Sequence, residues 1–166
     1  TAWLAGCASG PTADPARMPA ELQLTLPANA LGCSLAVQQH LTVQPPGQGA
    51  QELDALLEVD APSVRLALFH LGQRMGTLTW DGQHLHNELS RWWPAQLPPA
   101  QVFSDMQLAL WPASAIEKAL PADWTIIENN SSRRFSYKGV ERISVQSSGA
   151  DAFDIRYAPL TWQLHV

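Results

Sequence analysis

Charge is scarce in this chain of 166 residues: Asp, Glu, Lys and Arg supply 15%, against a usual share of about 25%. The scarcity runs along the whole chain, which excludes disorder driven by high charge. Fifteen acidic against ten basic side chains leave a net charge of −5. That balance excludes the basic stripe of a nucleic-acid binder and the polybasic patch that holds a protein to anionic lipid. No stretch of 18 apolar residues occurs, so no segment has the length of a membrane-spanning helix. The G-x-S-x-G elbow, the P-loop, the G-x-G-x-x-G turn and the C-x-x-C pair are all missing. Neither an enzyme nor a cofactor is expected. The length is that of one domain, enough to bury about 68–70% of its unfolded surface.

Cysteine is equally rare: Cys7 and Cys33 are the only two. Leu4-Ala5-Gly6-Cys7 has the form of a bacterial lipobox, an apolar residue and two small ones before the cysteine. Small side chains let an extended segment enter the signal peptidase, and the Cys7 thiol takes the lipid. Residues 1–6 are therefore read as a signal-peptide remnant. Residues 7–20 are read as the lipidated cysteine and a Pro-rich, aperiodic tether. Twelve such residues reach at most ~40–43 Å, which lets a globule stand off from the membrane. Several acyl chains anchor stably where one binds marginally. Ala8, rather than Asp, follows the cysteine. That points to the periplasmic face of the bacterial outer membrane as the expected location. Cys33 is then left without a partner and reads as a buried structural thiol.

Residues 21–166 are read as a single domain. Leu22, Leu24 and Leu26 alternate with polar residues; so do Leu35 to Val43 and Leu53 to Val59. Period 2 of this kind marks half-buried antiparallel strands. Val64 to Leu71, Met75 to Trp80 and Gln83 to Leu89 continue the series. Asp81-Gly82 predicts a two-residue hairpin that pairs Trp80 with Gln83, Thr79 with His84 and Leu78 with Leu85. The pattern changes after Pro98-Pro99. Phe103, Met106 and Leu110 form a helical stripe, and Pro112 opens a second helix with Ile116, Ala119 and Leu120 on its apolar face. Strands return at Trp124 to Glu128, Arg134 to Tyr137, Val140 to Ser147, Phe153 to Tyr157 and Leu160 to Val166. The sum is about nine strands in a meander. The fold class is α+β: a curled antiparallel sheet, an incomplete β-barrel, with two short helices capping its concave face.

Chemistry-bearing residues are few. His84 and His86 share a strand face, but no third ligand stands at a meaningful spacing, so no metal is expected. His40 and His165 fall on polar parities, and His70 reads as a satisfied histidine in an apolar strand. Glu52, Asp54 and Glu58 read as a solvated face, and Arg133-Arg134 as a solvated loop pair. Ser34, Ser104 and Ser114 are available to a lipid hydrolase, but nothing marks one as a nucleophile. Tryptophan is the exception, with seven residues. Trp80 and Trp162 suit the core. Trp92-Trp93-Pro94 cannot bury both rings in one direction if extended, and suits an apolar ligand or a membrane interface.

Leu4-Ala5-Gly6-Cys7, the run Gly72 to Gly82 (GQRMGTLTWDG), Asp105 to Pro112 (DMQLALWP) and Ala119 to Trp124 (ALPADW) together carry a resemblance. Over most of residues 31–166 the chain resembles a small family of bacterial outer-membrane lipoproteins of unknown function, associated with aryl polyene gene clusters. It also resembles the LolA/LolB-like lipoprotein carriers. The resemblance implies a cavity for acyl chains inside the incomplete barrel. LolB accepts lipoproteins from a soluble carrier and inserts them in the outer membrane with an exposed apolar residue on a protruding loop; no motif places that loop here. The expected function is binding or transfer of an acyl, lipoprotein or aryl-polyene-lipid cargo. Its partners would be that cargo, the outer membrane and a soluble periplasmic carrier. The cavity candidates are Leu78, Trp80, Leu85, Phe103, Met106, Leu110, Trp111, Ile116, Leu120 and Trp162. The alternative is a non-catalytic envelope lipoprotein that serves as a protein-binding platform.

Overall fold

Ten antiparallel strands form one sheet in a computed structural model that describes residues 22–45, 47–149, 152–158 and 162–166. They are β1 Leu35–Gln44, β2 Gln51–Asp60, β3 Ser63–His70, β4 Gln73–Trp80 and β5 Leu85–Leu89, then β6 Trp124–Glu128, β7 Ser132–Tyr137, β8 Val140–Ser147, β9 Phe153–Tyr157 and β10 Trp162–His165. Their spatial order is β5-β4-β3-β2-β1-β10-β9-β8-β7-β6. Two meanders thus meet at the β1–β10 seam, where Val43 pairs with Leu164. The outermost strands β5 and β6 do not pair, so the curled sheet is not closed. Helices α1 Pro99–Leu110 and α2 Ala113–Ala119 connect these two edges. The lipobox, Cys7, the tether and Leu160 lie outside the described residues.

The alternation in sequence becomes an inside and an outside. Leu53, Ala55, Leu57 and Val59 on β2 are all buried, as are Val64, Leu66 and Leu68 on β3. They face α1, which is unusual in being buried all round: every residue from Gln101 to Leu108 is buried. Pro98 caps the helix and Pro99 takes its first position, where no donor is lost. Val102, Phe103 and Met106 join the apolar core. Gln101, Ser104 and Gln107 form a polar stripe that is also dry, and such groups need partners.

The partner is the segment Leu22–Pro27. Its alternation predicts a strand, and Leu22, Leu24 and Leu26 are indeed buried, but it lies outside the sheet. It runs extended along α1 instead. Gln107 acts like a neighbouring strand: its Oε1 accepts from Leu26 N–H at 2.8 Å and its Nε2 donates to Leu26 C=O at 2.8 Å. Ser104 Oγ accepts from Leu24 N–H at 2.9 Å, and Trp111 Nε1 donates to Pro27 C=O. Helix side chains have replaced a strand's ladder, which period-2 patterning cannot distinguish.

Other expectations are corrected. Cys33 is exposed, not buried: Gly32 turns the chain outward at φ +87° after a short 3₁₀ turn, Ala28–Leu31. Arg133 is not a solvated loop residue. It lies on β7 with 18% of its side chain exposed and donates through Nη1 to the carbonyls of Leu108, Ala109 and Trp111. It closes the C-terminus of α1, where carbonyls lack partners and a cation is favoured. The hairpin after Trp80 is longer than two residues. Asp81 Oδ1 accepts from the backbone N–H of Gln83 and His84, extending the loop to His84. Trp80 therefore pairs with Leu85 and Thr79 with His86, a slip of two positions that leaves every side chain on its predicted face. His70 is a satisfied histidine as expected, with Nδ1 2.9 Å from Glu52 C=O, although it is exposed. Pro112 caps α2 rather than occupying its first turn.

Candidate functional site

The cavity candidates gather around α1. Leu78, Phe103, Trp111 and Ile116 are fully buried, with Trp80 and Met106 nearly so. The Trp80 and Phe103 rings sit 6.2 Å apart. Leu85, Leu110 and Leu120 are half-buried and pack against the same core. Trp162 belongs to β10, but its side chain lies outside the described residues. The interior holds a small apolar void of about 30 Å³, between Val102 and Met106 of α1 and Leu41, Ala55, Leu66 and Ile155 of the sheet. As described, the helix fills the space that a cargo would need.

Beside this void lies a polar cluster that patterning gave no role. Asp105 is fully buried. Its Oδ1 accepts from Tyr157 of β9 and from Gln101 Nε2, the latter at 2.8 Å. Burial in apolar surroundings pushes its carboxyl up to about 7, against the opposing pull of Tyr157 and Gln101. Asp105 Oδ2, Gln101 Oε1 and Trp80 Nε1 are buried without a hydrogen-bond partner among the described residues. Ser104, a residue available to a hydrolase, is committed to the backbone of Leu22 and Leu24. Ser34 and Ser114 are exposed. Asp105 carried no distinguishing sequence signal: beside Ser104 and one turn from Gln101, it reads as part of the polar face of the helix.

At one end of the barrel a groove of about 930 Å³ opens. Its floor includes the core residues Leu53 and Met75; its rim carries Leu71, Trp92 and Pro94. Leu71 is 88% exposed and Trp92 58%. Arg91 lies over the Trp92 ring, 4.5 Å from its centre. Trp93 turns the other way, packs on the core and donates from Nε1 to Leu97 C=O. Its ring covers Gly76, where an added Cβ would stand 2.7 Å from Trp93 Cε3. The predicted split of the Trp92-Trp93 pair is thus observed. One groove wall is polar: His40 bridges Asp54 at 3.1 Å and Glu52 at 3.4 Å, and its pKa is raised, chiefly by the hydrogen bond to Asp54.

A model of a family of unknown function, DUF3261, matches residues 36–166. The chain belongs to the DUF3261 family. Neither a curated protein nor a solved structure matches it significantly. In this DUF3261 chain the match takes in all ten strands but for the first residue of β1, both helices and the groove. It leaves out the strap Leu22–Pro27 that covers α1.

Proposed function

We propose that this DUF3261 protein is a lipid-anchored outer-membrane lipoprotein that takes an acylated cargo, such as a lipid, a lipoprotein or an aryl-polyene lipid, into its curled sheet. This is the role expected from its resemblance to the LolA/LolB-like carriers. One observation carries the reading. Leu71 is almost fully exposed, lies at φ +49° and rims a groove that reaches core residues. A non-glycine residue in that conformation costs about 1–2 kcal/mol. Leu71 and Gly72 form a two-residue turn with both φ values positive, a geometry that favours Asn-Gly. Neither the turn nor the core asks for leucine there. A bilayer does: burying the side chain is worth about 1.5–3 kcal/mol. Trp92 and the Arg91 that covers it add an amphipathic neighbour of the kind found at membrane interfaces. Leu71 thus supplies the exposed apolar loop residue that no motif placed.

Cargo entry then requires α1 to give way. No strand pairing bars it, because α1 and α2 bridge the β5–β6 gap without extending the sheet. About 0.8 kcal/mol per buried CH₂ is available to displace the helix. The rival platform role is favoured by one observation, the packed interior with its 30 Å³ void. Native mass spectrometry separates the two. The full chain carrying Cys7→Ser, purified from a bacterium, is expected to carry a lipid or polyene of defined mass, recovered by organic extraction. A bare protein mass, with no uptake of added fatty acid or lipopeptide, overturns the carrier reading in favour of the platform.

A further inference from the structure

The longer loop after β4 has a chemical consequence at the opposite end of that strand from the groove. It brings Asp81 to the two histidines that share a face of the hairpin, His84 and His86. One ligand atom from each of the three lies within 4.8 Å of the others. Asp81 Oδ2 is 3.0 Å from His86 Nε2, and the two imidazole rings are 6.1 Å apart. We propose that Asp81, His84 and His86 form a surface site for a divalent transition metal of the zinc type.

The ligand set selects the ion. Two imidazoles and one carboxylate suit Zn²⁺, Ni²⁺ or Cu²⁺, whereas Mg²⁺ and Ca²⁺ want oxygen alone. Ligand atoms on a tetrahedral Zn²⁺ at ~2.0–2.1 Å stand about 3.3 Å apart, so a spread of 4.8 Å closes by side-chain rotation. The two imidazoles are exposed and can make that rotation. The carboxylate is already oriented. Its Oδ1 is held by two backbone N–H groups, at 2.7 Å from His84 and 2.8 Å from Gln83, which leaves Oδ2 for the metal. Three protein ligands leave a fourth position open to water or to a donor from another molecule. The ion would clasp β5, an unpaired edge of the sheet, to the loop that precedes it.

Zinc titration calorimetry of the full, untagged chain tests this, with Cys7→Ser and Cys33→Ser removing both thiols. One equivalent of Zn²⁺ is expected, with no binding of Mg²⁺. His84→Ala and His86→Ala should each weaken binding at least tenfold. Asp81→Asn keeps the backbone-accepting oxygen and hence the turn; it should also weaken binding at least tenfold with an unchanged circular dichroism spectrum. His165→Ala, on β10, should bind as the parent does. Less than half an equivalent in the parent, or parent-like affinity in both His84→Ala and His86→Ala, overturns the site. Neither outcome touches the carrier reading, which rests on the other end of the barrel.

Discussion

Two hairpin turns in this molecule have the same backbone and opposite chemistry. Leu71-Gly72 joins β3 to β4 with φ values of +49° and +75°; Lys138-Gly139 joins β7 to β8 with +49° and +79°. Lys138 is tied in: its N–H donates to Asp123 C=O at 2.8 Å and its ammonium lies over Tyr137, near the Asp123 carboxylate. Leu71 has bare surface around most of it. A turn of this shape therefore accepts a polar residue, and the leucine answers to something outside the fold. The contrast extends to the two meanders. The β1–β5 half carries the groove, Trp92 and the histidine-aspartate cluster. The β6–β10 half holds α1 from behind, with Arg133 at its C-terminus and Tyr157 on Asp105.

The largest effect should come from the contact between α1 and that second half. Toward β4, Phe103 meets Trp80 through rings alone; toward β9, Asp105 meets Tyr157 through a hydrogen bond. Asp105 binds its proton more tightly folded than unfolded, since burial raises its pKa from 3.8 to about 7. Its contribution is complete below the lower value and is lost as pH climbs through the upper one. Stability should fall by up to about 4 kcal/mol across that window. Asp105→Asn keeps an acceptor for Gln101 and Tyr157 and should flatten the slope. Urea midpoints between pH 4 and 8 measure it; an equal slope in the variant would place the pH dependence elsewhere.

Much of the fold was legible because a half-buried strand records its two sides at every second residue. β6 and β8 run over the predicted residues, Trp124–Glu128 and Val140–Ser147. Two of the failures share one cause. Leu22–Pro27 has a strand's pattern without a strand's neighbours, because Gln101, Ser104 and Gln107 satisfy its backbone from a helix. Likewise the Asp81 side chain rewired the hairpin, which hid it as a companion to His84 and His86. Side chains that bond backbone leave no periodic trace. The groove was half legible: the Trp92-Trp93 pair announced an exposed ring, while the exposure of Leu71 needed the turn to be seen.

Replacing Leu71 tests the two turns directly. Leu71→Asn should weaken partitioning of the unacylated chain onto phosphatidylethanolamine–phosphatidylglycerol vesicles at least tenfold, as expected from losing about 1.5–3 kcal/mol of apolar burial. Its unfolding midpoint should hold or rise, because Asn tolerates the left-handed region. Lys138→Asn should leave partitioning unchanged. Equal losses in both variants would dissolve the contrast. A smaller effect is expected one step into the core. Gly76→Ala drives a methyl against the Trp93 ring and Leu89. It should cost about 1–3 kcal/mol of stability by overpacking and loosen the loop that presents Trp92. Thermal melts and Trp fluorescence would show both; a melt like the parent's would mean that Trp93 moves aside freely.

The smallest effect is the sharpest control on the comparison. Gly72 and Gly139 both lie at positive φ, and a Cβ at either would meet open space. Alanine at each should therefore cost about 1 kcal/mol from backbone strain alone, and the same amount at both turns. Equal costs would show that the two backbones are mechanically alike, so that whatever distinguishes the turns resides in the side chains of Leu71 and Lys138. A much larger loss at Gly72 would say instead that the β3–β4 turn bears on the core. Leu71 would then be a structural residue, and its exposure would no longer argue for a membrane.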